Sequence, residues 1–221
     1  MNSARSRKRM DCWMGPIHRA VVALCLAGAF PAQGFCADQA WRLVGDSEGI
    51  RTETRAVAGE RFDELRVTTV VRVPPQTVAD YLFGKYLDEK NRNISRVFVR
   101  RGKDLTIWSD VLDTPMISER CYSMRFERET RGNGEIRVRF ASLEYLGAKP
   151  KPDCVALRSR GEWVMTPLGK GTRLSYSSLT DVGGRVPVPL VRRSLSAAAV
   201  MSVRKVTAGA SGQALPRGIG D

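Results

Sequence analysis

The sequence predicts an α+β chain: a series of antiparallel strands forming one sheet, packed against a long helix near the carboxyl terminus. Three observations carry that class. Between Arg120 and Thr180, apolar and polar residues alternate with a period of two through four successive runs. Short segments with turn chemistry, Gly132-Asn133-Gly134 and Pro167 to Gly171, separate those runs. After Gly183 and Gly184 the period changes, and Leu190 to Ala208 reads as one amphipathic helix.

The first 37 residues stand apart from the fold. Ala20 to Phe30 is an apolar run behind basic residues, the pattern of an export signal. As a helix it would reach about 16 Å, roughly half of a hydrocarbon core, which is too short for a retained anchor. Cleavage is expected near Gly34 or Ala37, leaving a periplasmic or secreted chain. Leu24 and Phe35 precede Cys25 and Cys36, so neither cysteine has the small neighbour that a lipoprotein signal requires. The remaining length suits one domain over 38–208, with a flexible tail at 209–221 rich in Gly, Ala and Ser.

Within the domain, Asp63 to Val73 alternates, placing Leu65, Val67, Thr69, Val71 and Val73 on one face, and Pro74-Pro75 ends it. Pro75 opens a helix over Gln76 to Tyr86, where Val78, Leu82 and Tyr86 recur at four-residue steps. Asn91 to Arg101 and Leu105 to Leu112 read as strands, the second with Leu105, Ile107, Ser109 and Val111 on one face. The next four strands present inner faces of Arg120, Tyr122, Met124 and Phe126; Ile136, Val138 and Phe140; Leu157, Ser159, Gly161, Trp163 and Met165; and Leu174, Tyr176, Ser178 and Thr180. Their outer faces are basic, with Arg137, Arg139, Arg158 and Arg160. The final helix turns Val191, Leu195, Ala198 or Ala199, Ser202 and Val206 to one side. Such a small-residue face either leaves volume beneath it or brings the backbones close.

Lys and Arg outnumber Asp and Glu by 36 to 23, and without residues 1–37 the formal charge falls from +13 to about +9. In an exported chain that balance suits anionic lipid head groups or cell-envelope polymers rather than nucleic acid, with a well-solvated basic surface as the alternative. The only histidine, His18, lies in the signal, so the domain has no imidazole for Ser-His-Asp or Cys-His chemistry or for most zinc sites. No cofactor or metal is implied. Cys121 and Cys154 remain, and in an oxidising compartment such a pair is expected as a disulfide, with two separate thiols as the alternative. If the strands pair through their turns, Cys121 lies opposite the region of Ala141 and Cys154 falls in the loop at the same end.

Two segments then suggest a family. Asp113 to Tyr122, with Pro115, Ser118, Glu119, Arg120 and Tyr122, and Asp181 to Pro189, with Gly183, Gly184 and Pro187, resemble the two signature regions of START domains. These form the lipid-transfer branch of the helix-grip superfamily. Trp41-Arg-Leu before Glu48-Gly-Ile50, and Trp163 to Thr172, extend the likeness from Trp41 to Val206. Cys121 stands where such domains usually carry an acidic residue. The resemblance implies a helix-grip fold, a curved antiparallel sheet wrapped around the carboxyl-terminal helix. It also implies a monomer that binds, and transfers, a lipid or other hydrophobic small molecule in an internal cavity. Tyr122, Met124, Phe140, Trp163, Met165, Leu174 and Tyr176 would line that cavity, Ser159 and Gly161 would leave it room, and Ala199 and Ser202 would face it from the helix. Arg120 would hold an anionic head group or pair with Asp110 or Glu119. Two other classes fit the same residues: a cyclase or hydrolase using Glu144 or Tyr145 as general acid, and an envelope interaction protein with a filled core and a basic partner-binding face.

Overall fold

Alternating segments become strands because one face can be buried while each backbone group pairs with a neighbour. In the computed structural model, which describes residues 40–113, 118–148 and 153–214, this happens ten times. The expected signal over 1–37, Pro115 of the first motif, Pro150 and Pro152, and residues 215–221 of the expected tail lie outside the described residues. The elements run β1 (Arg42–Ser47), β2 (Ile50–Arg55), β3 (Glu64–Val71), α1 (Pro75–Tyr81), β4 (Ile94–Arg101), β5 (Leu105–Leu112), β6 (Arg120–Thr130), β7 (Ile136–Leu143), β8 (Val155–Ala156), β9 (Arg158–Leu168), β10 (Gly171–Asp181) and α2 (Val188–Ala210). They form one curved sheet in the order β1-β2-β3-β10-β9-β7-β6-β5-β4, antiparallel along that path, with the short β8 lying parallel to β6. The long helix α2 packs against β3, β10 and α1, buries Val191, Ala199, Val203 and Val206 and completes the helix-grip architecture.

Several details differ from the sequence expectation. The hairpin of β1 and β2 is new; its turn places Glu48 at φ 53° and Gly49 at φ 73°, the left-handed torsions of a tight hairpin turn. The first helix is shorter than expected. After Tyr81 the chain widens into a π-helical turn over Leu82–Tyr86, with Gly84 at φ −104° and ψ −106°. That widening turns Leu82, Phe83 and Leu87 all into the core. In β5 Thr106, Trp108, Ser109 and Asp110 are buried, while Leu105, Ile107 and Val111 of the alternation read from the sequence are only partly covered. The residue opposite Ala141 is Arg125; Cys121 lies beyond that end of the β6–β7 ladder. The expected tail begins later, since α2 continues to Ala210.

The basic outer face is laced with ion pairs. Arg55 meets Glu64, Arg125 meets Glu127, Arg137 meets Glu135 and Glu162, Arg139 meets Glu129, and Arg160 meets Glu60. Exposed pairs of this kind contribute about 0–1 kcal/mol each. Their effect here is to neutralise much of the charge that the sequence offered to a polymer or partner.

Candidate ligand cavity

The inner faces of β5, β6, β7, β9 and β10 bring large aromatic rings together. Phe83, Phe126, Phe140, Tyr176, Trp163 and Tyr86 form a continuous chain, with successive ring centroids 6.4, 5.5, 5.8, 4.4 and 6.2 Å apart. Trp108 joins it edge-on at 4.8 Å from Phe126. Beside these rings lies a cavity of about 180 Å³. Its wall includes Tyr122, Met124, Phe140, Ser159, Trp163 and Tyr176, which the sequence pointed to, and Tyr86, Leu87, Arg96, Trp108 and Phe126, which it did not.

One end of the cavity is polar. Asp110 is fully buried, and Arg96 on the neighbouring strand grips it with two hydrogen bonds, from Nε to Oδ1 at 2.8 Å and from Nη2 to Oδ2 at 2.7 Å. Trp108 Nε1 and the Tyr122 hydroxyl both donate to Oδ2 at 2.9 Å, and Arg96 Nη1 donates to the Leu87 carbonyl at 3.0 Å. Burial works against the Arg96 charge, but the Asp110 carboxylate more than offsets it and holds the guanidinium protonated. Burial, reinforced by Asp110, pushes the Tyr122 hydroxyl far above its ordinary value, so it remains a donor. Burial likewise raises Tyr176 and Tyr86, with hydrogen bonds from Ser178 and Ser202 acting in the opposite direction. Across the cavity, the hydroxyl of Ser159 pairs with that of Thr180 at 2.8 Å.

The other expected lining residues lie elsewhere. Met165 and Leu174 are fully buried core residues, and Ala199 is buried under α2 without reaching the cavity. Ser202 acts through Tyr86. Gly161 leaves no room: a side-chain carbon there would fall on the Ser177 carbonyl oxygen and 2.7 Å from the Phe140 ring, so the position serves close strand packing. Glu144 and Tyr145 follow β7 and are not among the lining residues. Among the described residues no acidic, cysteine or histidine cluster could hold a metal ion.

Arg120 also departs from expectation. Its guanidinium is buried and donates to three backbone carbonyls, Val182 at 2.7 Å, Ser118, and Gly183 at 3.5 Å. It thereby ties the start of β6 to the turn before α2, and Asp110 takes Arg96 as its partner instead. That turn requires its glycines: Gly183 and Gly184 have φ of 64° and 67°, and a side-chain carbon on Gly183 would stand 2.5 Å from the Ala156 carbonyl oxygen of β8. Asp181 accepts from the Gly183 amide at 2.9 Å, while Arg61 donates to the Gly184 and Val186 carbonyls. Beside this junction Cys121 and Cys154 are joined, with Cα atoms 6.0 Å apart. The bond holds the chain leading into β8 against β6. The two signature segments therefore meet at a structural junction, and of their residues Tyr122 alone also lines the cavity, beside residues placed by strand alternation and by the turn after α1.

No family model matches the chain, and no curated protein matches it. Solved structures do. A STAR-related lipid transfer protein from Xanthomonas axonopodis superposes with a TM-score of 0.67 at 20% identity, covering 77% of this chain and 98% of that one. The human StarD13 lipid transfer and protein localization domain gives 0.63 at 16% identity, over 76% of this chain and 89% of that one. Human StAR-related lipid transfer protein 5 gives 0.63 at 17% identity, over 76% and 86%. At these identities the likeness establishes architecture, and it agrees with the order of strands and helices described above: this chain has the START-type helix-grip fold.

Proposed function

We propose that the protein binds a lipid or other apolar small molecule in the cavity between its sheet and the turn after α1 and carries it shielded from water. The observation that supports this most is an aromatic-walled cavity bordered by Arg96, whose charge Asp110 already neutralises. Such a mixture, mostly apolar with few oriented polar groups, suits small-molecule binding. The similar solved structures named for lipid transfer add weight to the same reading.

The polar end favours a neutral ligand. Arg96 uses three of its five N–H groups within the protein, and the Tyr122 oxygen, having donated its proton, can still accept. A hydroxyl satisfies both, accepting from Arg96 and donating to Tyr122, and a carbonyl satisfies Arg96 alone. A carboxylate would place a second negative charge beside the desolvated Asp110. At about 180 Å³ the cavity is smaller than the roughly 300–1,000 Å³ of most ligand sites, so binding must enlarge it. A surface recess of about 580 Å³ shares Leu87 and Arg96 with it, and displacement of those two side chains would join the spaces.

We further infer that residues 1–37 direct export and are removed, and that the domain works as a monomer near anionic membranes; amino-terminal sequencing of the protein from its host should begin near Phe35 or Asp38. Displacement of Nile red tests the binding function. Hexadecanol is expected to displace the dye, palmitate to do so more weakly, and Ser159→Leu to abolish binding while the protein remains folded. A folded wild-type protein that takes up no neutral lipid would overturn the reading.

A further inference from the structure

A second recess, of about 280 Å³, lies between the β1–β2 hairpin and the first turns of α2. It is separate from the interior cavity and shares none of its lining residues. Its apolar part is formed by Phe62 and Leu65, both buried, and by Leu195 of α2. From Leu65 a row of cross-strand partners runs through Thr54 to Arg42 on β3, β2 and β1, so their side chains lie on one face. Thr54 is 8% exposed and its hydroxyl has no hydrogen-bond partner, an uncommon condition for a buried polar atom. Arg42, Arg192 and Arg193 stand around the recess with one acid, Asp63, which lies 3.7 Å from Arg192. Among the described residues Arg42 and Arg193 face no acidic partner. Val44 on the recess wall, with Leu43 beside it and Leu190 on the first turn of α2, is half exposed or more.

We propose that this recess is a peripheral binding site for an anionic amphiphile. The acidic head group is held by Arg42 and Arg193, a small shift of Thr54 brings its buried, unpartnered hydroxyl within donating distance, and the alkyl chain lies along Phe62, Leu65 and Leu195. A dissolved fatty acid and an anionic phospholipid in a bilayer share this chemistry. The site stands independently of the interior cavity, which selects a neutral molecule.

The test uses the full chain and two probes: a diazirine-bearing myristate, with the photolabelled peptides mapped by mass spectrometry, and vesicles of phosphatidylcholine alone or mixed equally with phosphatidylglycerol. Myristate is expected to label peptides containing Phe62 to Leu65 or Leu195. Arg42→Glu with Arg193→Glu should lower that labelling roughly fivefold or more, and Thr54→Val should lower it without lowering the melting temperature. Ser159→Leu, in the interior cavity, should leave it unchanged. Charge-dependent sedimentation with the mixed vesicles, lost in the double arginine variant, identifies a bilayer lipid as the source; labelling without sedimentation identifies the free acid. Labelling confined to interior residues, or labelling and sedimentation equal in the double variant and the wild type, overturns the proposal.

Discussion

The interior cavity and the junction before α2 share strand β6, yet their polar groups end in opposite conditions. Arg120, at the start of the strand, is consumed by the carbonyls of Ser118, Val182 and Gly183 and has its work in holding two segments together. Two residues on, Tyr122 reaches Asp110 in a network that leaves donors and an acceptor facing open volume. The contrast teaches that a distinctive motif need not mark the binding site. Asp181-Val-Gly-Gly is distinctive because left-handed torsions and the approach of β8 demand it, whereas a cavity wall needs only large apolar residues at inward positions.

This contrast can be broken at its tightest point. Gly161 belongs to the architectural side despite its position between cavity residues, and Gly161→Leu is expected to cost more than about 4 kcal/mol, since backbone of β10 occupies the space. Denaturant unfolding would show it as a loss of the folded population. A variant that folds with wild-type stability would mean the position borders usable volume after all.

The next effect separates charge pairing from packing. Asp110→Ala leaves the partly buried Arg96 without its counter-charge and is expected to cost about 3 kcal/mol, the low end for breaking a buried pair. Replacing both members, Arg96→Met with Asp110→Leu, should recover much of that loss. Thermal melts of the three proteins would check this, and neutral-lipid binding should remain impaired in the double variant even where stability returns. Recovery of binding along with stability would show that the pair serves the fold alone.

Reduction of the Cys121–Cys154 bond should act on the junction and spare the cavity. Closing a loop with a sequence separation of 33 stabilises by roughly 3–4 kcal/mol in the chain-entropy model. Melting with and without reductant is expected to show that shift, while lipid affinity measured well below the transition changes little. A large loss of affinity in the reduced, folded protein would join the two regions that are here held separate.

How much of this was legible in the sequence follows the same division. Strands β3 to β7, β9 and β10 could be read because each combines period-two alternation with turn residues at its ends. The β1–β2 hairpin could not, because β1 is exposed along its length and its residues carry no apolar face. The polar end of the cavity was also hidden. In β5 the alternation of Leu105, Ile107, Ser109 and Val111 competes with that of Thr106, Trp108 and Asp110, and an aspartate normally argues for the solvent side. What reverses the reading is Arg96, fourteen residues earlier, whose meeting with Asp110 exists only once β4 and β5 pair. A tryptophan and a carboxylate on one strand face, opposite an arginine on the strand before it, is the signal that would have found them. Ser159 was correctly placed on the inner face, but its neighbour Gly161 was misread as space because a sequence shows a missing side chain without showing what fills it.

The central claim, that the interior cavity holds a neutral apolar ligand, is tested most directly by native mass spectrometry of the protein purified from its own host, followed by extraction and identification of any adduct. The expected result is a one-to-one complex with a hydroxyl- or carbonyl-bearing lipid, absent from Ser159→Leu prepared in the same way. An adduct of equal abundance in that folded variant, or a wild-type protein that emerges bare and stays bare when incubated with neutral lipids, would contradict it.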